Sequence, residues 1–169
     1  LFHLVKLIKN HGMSNNNRYW HEVVGTNARM TNIQAAIGLA QLENLDSIIE
    51  RKRTIHSSYM KELASLEKKV KIWNEENNIY SSYWLNNLII SDKGKRDKLL
   101  ESGIKNHIDL RRCFYPMHIL PAFKEYSLKD VDYSVSNDIF EHIICLPSGL
   151  SLSEDKISII CDLIKDNFD

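Results

Sequence analysis

The stretch that decides the fold is VVGTNARMTNIQAAIGLAQLE, Val23 to Glu43. A Gly-Thr-Asn-Ala-Arg turn runs straight into a helix that carries no charge between Arg29 and Glu43. Thr31 and Gln34 have the spacing of a capping box, which predicts a helix starting at Asn32. A surface helix carries one apolar stripe and one charged face. Here Met30, Ile33, Ala36, Ile37 and Ala40 occupy one side, and Ala35, Leu39 and Leu42 another. The pattern predicts burial nearly all round, so a covering layer is required from more chain or from a second subunit.

Working outward, Leu1, Leu4, Val5 and Ile8 mark one face of a helix that Gly12 can end with a positive φ. Ser14 to Arg18 is a polar loop, followed by the aromatics Tyr19 and Trp20. Beyond Asp46 the pattern becomes amphipathic, with Ile48, Ile49, Ile55, Tyr59 and Leu63 among charges, as one long helix or two abutting ones. Tyr80–Ser91 reads as a strand and Lys95–Ser102 as a short helix closed by Gly103. Ile108–Cys113 reads as a second strand, and FYPMHILPAF as an irregular path set by its two prolines. Val135–Ile143 reads as a helix and CLPSG as a turn. Ser153 caps a last helix with Ile157, Ile160 and Ile164 on one face. The fold class expected is α/β, with residues 1–66 a helical arm and residues 67–169 a small α+β domain of two or three strands.

Composition narrows the function. Lys plus Arg and Asp plus Glu number 22 each, so the basic surplus of a nucleic-acid binder is missing. No apolar run approaches the ~20 residues of a membrane span. Cys113, Cys145 and Cys161 are widely spaced and odd in number, which supports neither zinc ligation nor a disulfide framework and fits a reducing compartment. No glycine-rich nucleotide loop, zinc-protease motif or nucleophile elbow occurs, and the seven histidines form no metal-spaced pair. No metal site is expected.

Two irregular segments carry chemistry. The Gly25–Arg29 turn precedes a helix N-terminus, where free N–H groups, the Asn27 amide and the Arg29 guanidinium suit an oxyanion or phosphate. The alternative is that Asn27 caps the turn and Arg29 makes a surface ion pair. Arg111 to His118 gathers guanidinium, phenol and imidazole groups in one kink, and arginine suits bidentate recognition of phosphate or carboxylate.

At these residues a resemblance enters. HGMSNNNRYWHEVVGTNARMTNIQAAIGLAQLE resembles the corresponding segment of the DegT/DnrJ/EryC1/StrS sugar aminotransferases. IDLRRCFYPMHILPAF and ICLPSGLSLSEDKISIICDLI resemble the family's later segments in the same order. Within the family the likeness is greatest to members that aminate C4 of a GDP-4-keto-6-deoxy sugar. The resemblance implies the C-terminal portion of a type I aminotransferase fold, with pyridoxal 5'-phosphate as cofactor and a cytoplasmic homodimer sharing its active site across the interface. It implies transfer of an amino group from an amino-acid donor, glutamate, to a nucleotide-sugar, with neither nucleic acid nor membrane as partner. It makes Asn27 and Arg29 cofactor-binding and Arg111, Tyr115, His118 and Trp20 substrate-binding, with Tyr19 beside Trp20. Thr26 and Ala28 stand where the family carries aromatics. The family's cofactor-bearing lysine lies upstream of Leu1, so no catalytic residue is expected here, and the chain alone is expected to be inactive. The rival reading is a non-catalytic binding or oligomerisation module.

Overall fold

The computed structural model of the chain describes residues 1–17, 19–128 and 130–168. It holds two compact units, Leu1–Leu45 and Asp46–Asp169.

In the first unit, α1 (Phe2–Ile8) and α2 (Asn32–Glu43) are joined by a loop that folds back on α1. The expected capping box is present: the Gln34 amide donates to Thr31 Oγ1 at 3.2 Å, and the Thr31 amide donates to Gln34 Oε1 at 2.9 Å. Gly12 takes φ +68°, and a Cβ there would lie 1.8 Å from the Val23 carbonyl oxygen. Only glycine fits such an approach. Of the polar loop Ser14 to Arg18, Arg18 lies outside the described residues. The expectation that α2 is covered all round is not met within this chain. None of its residues is buried, and Ile33 is 75% and Leu42 63% exposed. Burial depends on what packs against a helix as well as on its own pattern, and no α2 side chain is covered here.

The second unit begins in α3 (Leu45–Glu62), which abuts α2 at Asn44 instead of continuing it. It continues through β1 (Val70–Ile72), β2 (Asn86–Ile90), α4 (Lys93–Lys105), β3 (Arg111–Arg112), α5 (Ser134–His142), β4 (Ile143–Leu146) and α6 (Glu154–Asp166). The four strands pair antiparallel in the order β1-β2-β4-β3. One face of the sheet, through Leu88, Ile90, Ile144 and Leu146, joins a core with Ile55 and Tyr59 of α3, Leu99 of α4 and Ile157, Ile160 and Ile164 of α6. The α6 spacing is the one the sequence showed, and Ser153 caps it by accepting from the Lys156 amide.

Several expectations are corrected. The division near Leu66 moves to Leu45, because Ile55, Tyr59, Leu63 and Leu66 all enter the second unit's core. The sheet has four strands where two or three were expected. Cys145 and Leu146 belong to β4, not to a turn: β4 is buried along its whole length, so it shows no alternation to read. The Tyr80–Ser91 strand shortens to β2, since Tyr83 adopts φ 44°. Gly103 lies inside α4, where a Cβ would meet Leu110 and the Ile108 carbonyl at 3.0 Å. It is there for close packing, and Asn106 caps the helix instead.

Candidate functional site

The Asn27 turn is set by backbone bonding to the end of α1. The Thr26 amide donates to Ile8 O at 2.8 Å, the Ala28 amide to Lys9 O at 2.9 Å, and the His11 amide to Thr26 O at 3.0 Å. Asn10 and Asn27 form a bridge. Thr26 and Ala28 are thus held without flanking rings. The Asn27 side chain is exposed, and its Oδ1 accepts only a long 3.5 Å bond from the Arg29 amide. Its Nδ2 donates to nothing among the described residues, and Arg29 makes no ion pair among them. A free carboxamide donor beside a free guanidinium fits a phosphate oxygen. These residues therefore suit one side of a pyridoxal phosphate site. Tyr19 and Trp20, in the same unit, are 70% and 65% exposed.

In the second unit a hollow of about 900 Å³ lies between α5 and the irregular segment after β3. Cys113, His118, Phe123, Tyr133 and Phe140 are among its lining residues. His118 stacks on Tyr133 at 4.1 Å and hydrogen-bonds Asn137 Oδ1 through Nε2 at 3.0 Å. This partnership fixes the ring, so one nitrogen is committed. Tyr115 packs on Phe140 at 4.6 Å but lies outside the hollow's lining. Arg111 also lies outside it, pairing with Asp109 at 3.3 Å with both side chains well exposed. Of the three candidates here, the hollow gathers only His118. Trp20, Asn27 and Arg29 stand in the first unit.

Sequence reasoning missed a polar framework centred on α3. Arg53 pairs with Glu75 through both guanidinium ends, Nη1 to Oε2 at 3.0 Å, and donates to Ser81 O at 2.7 Å. The Arg53 hydrogen bond to Glu75 and one from the Ser81 amide hold the Glu75 carboxyl down at about 2. His56 stacks on Tyr83 at 3.7 Å, and its Nδ1 meets Asn86 Oδ1 at 2.9 Å. The Asn86 amide nitrogen and Nδ2 both donate to Ser148 Oγ, at 3.0 and 3.1 Å. Lys52 donates to the Ser148 and Trp84 carbonyls, and burial lowers its pKa. Together these fasten the loop after β4 and the segment before β2 to α3. The available signal was polarity out of place: His56 between Ile55 and Tyr59, and Asn86 opening an apolar strand.

Comparison with known proteins places the chain in a family and a fold. The GDP-perosamine synthase of Vibrio cholerae is 40% identical over 95% of this chain and 44% of its own length. That of Escherichia coli O157:H7 is 37% identical over 94% of this chain and 42% of its own. The solved PLP form of Spr1654 from Streptococcus pneumoniae superposes with a TM-score of 0.82 at 22% identity, over 96% of this chain and 42% of that one. At that identity the likeness shows fold alone. The chain spans less than half the length of the curated relatives it matches. Among the described residues no helix is long and apolar enough to cross a membrane. The model of the DegT/DnrJ/EryC1/StrS aminotransferase family matches residues 1–165, and the chain belongs to that family.

Proposed function

We propose that these residues serve in a pyridoxal-phosphate-dependent aminotransferase of nucleotide-sugar biosynthesis. The acceptor is a GDP-4-keto-6-deoxyhexose such as GDP-4-keto-6-deoxymannose, the donor is glutamate, and the product feeds O-antigen or another polysaccharide. The observation that carries this reading is the 40% identity to a GDP-perosamine synthase along 95% of the chain. The cofactor supplies the electron sink. Asn27 donates its free amide to the cofactor phosphate, and Arg29 adds positive charge at the same turn. Arg111 meets the nucleotide diphosphate, while Tyr115, His118 and Trp20 shape the substrate cleft. The protein works in the cytoplasm, and the bare apolar surface of α2 supports a homodimer in which the Asn27 turn serves the neighbouring subunit.

A chimera tests this: residues 1–165 replace the matching part of the V. cholerae enzyme, and amino transfer is assayed with GDP-linked and dTDP-linked 4-keto sugars. Turnover of the GDP sugar alone is expected. Preference for the dTDP sugar contradicts the substrate assignment. The second unit's self-contained core favours the rival module reading. A folded but inactive chimera, alongside a stable dimer of the 169-residue chain, would establish it.

A further inference from the structure

β3 and β4 run antiparallel with Arg111 opposite Cys145 and Arg112 opposite Ile144. Alternate residues of a strand share a face, so Cys113, just past the end of β3, falls on the Cys145 side and diagonal to it. Both thiols are free. Cys145 is 5% exposed and donates to Asn87 Oδ1 at 3.3 Å. Cys113 is half-buried and lines the hollow, where small solutes reach it. Burial pushes the Cys145 thiol up to about 11; Cys113 adds to this through charge and hydrogen bonding, and Arg111 opposes it.

We propose that Cys113 and Cys145 form a two-thiol oxidation site that closes a disulfide between β4 and the segment leaving β3, with hydrogen peroxide as oxidant. The Cys113 thiolate attacks one peroxide oxygen, and the O–O bond breaks. The departing hydroxide takes a proton and leaves as water, giving a sulfenic acid on Cys113. The Cys145 sulfur then attacks the Cys113 sulfur, and the hydroxyl leaves as a second water with the Cys145 proton. Two thiols lose two electrons, and one peroxide is reduced to two waters. The bond ties the first residue of the Cys113–His118 kink to the central strand and stiffens that wall of the hollow. A protonated, buried Cys145 makes the second step slow, and the facing Arg111 guanidinium speeds it. Cys161 is the internal control: it is fully buried, and burial raises its thiol to about 12.

The test treats the full chain with equimolar peroxide, quenches by alkylation and maps peptides by mass spectrometry. We expect one intramolecular Cys113–Cys145 link, two hydrogens lighter, reversed by dithiothreitol, with Cys161 still a thiol. Cys113→Ser should abolish the link, and Arg111→Gln should slow its closure severalfold. A link between molecules, Cys113 sulfinic acid beside a free Cys145, or no reaction would each overturn the proposal. Because the reading comes from the wild-type protein, it holds even where a cysteine variant folds poorly. It is also independent of the aminotransferase assignment.

Discussion

Arg53 on α3 grips Glu75, twenty-two positions along the chain, with both ends of its guanidinium, while Ser81 donates its backbone amide to the same carboxylate at 2.7 Å. One side chain thereby closes the long segment between β1 and β2 onto the helix. The pH dependence follows from the sign. The folded-state pKa of Glu75, about 2, lies below the ordinary carboxylate value of ~4.3. Its contribution is therefore complete above that ordinary value and is lost as pH falls toward about 2. Urea midpoints measured from pH 6 to pH 3 should fall more steeply for the wild type than for Glu75→Gln. Parallel curves would show that the pair contributes nothing.

The core of the second unit gives a second expectation. Ile164 is fully buried beneath the sheet, whereas Ile159 on the same helix is 61% exposed. Ile164→Ala should destabilise by about 2–5 kcal/mol, and Ile159→Ala by roughly 0.5 kcal/mol or less. Paired urea titrations of the two variants check the difference.

Removing the Asn86 side chain tests the buried polar relay. Asn86→Ala strands the ring nitrogen of His56, which stacks on Tyr83, and removes one of the two donors to Ser148 Oγ, the backbone amide remaining. A loss of about 1–3 kcal/mol is expected, the usual penalty for an orphaned buried polar group. Asn86→Asp should keep the acceptor facing His56 and recover part of that loss in the same titration.

Gly12→Ala addresses the first unit. Its Cβ would collide with the Val23 carbonyl at a positive φ, so the loop must lift from α1 and the Asn27 turn must loosen. Hydrogen exchange of the Thr26 and Ala28 amides should quicken, with the α6 amides unchanged. The local destabilisation should exceed about 1 kcal/mol. Unaltered exchange at Thr26 would show that the turn is held some other way.

What could be read from the sequence was local. The Thr31–Gln34 capping box, the left-handed Gly12, and the Ile157, Ile160 and Ile164 stripe each depend on neighbours within a few positions, and each is where the residues placed it. β1 is only three residues long and β4 has no polar side, so neither shows the alternation that betrays a strand. Gly103 looked like a stop signal because its reason for being glycine, the approach of Leu110, lies in another element. The grip of Arg53 on Glu75 is likewise non-local. Among the candidate site residues, Asn27 is exposed and His118 lines a hollow. Arg111, paired with Asp109, and Tyr115, packed on Phe140, fall outside that hollow's lining although their neighbours Cys113, Phe114 and Pro116 form it.

The most direct measurement is pyridoxal phosphate affinity in the V. cholerae chimera, with Asn27 and with Asn27→Ala. One hydrogen bond to a charged phosphate is worth about 1.5–3 kcal/mol, so the variant should bind the cofactor roughly ten- to a hundredfold more weakly. The GDP-linked 4-keto sugar should be aminated only by the loaded protein. Equal affinity in the two proteins, with both folded, would contradict the assignment of this turn to the cofactor.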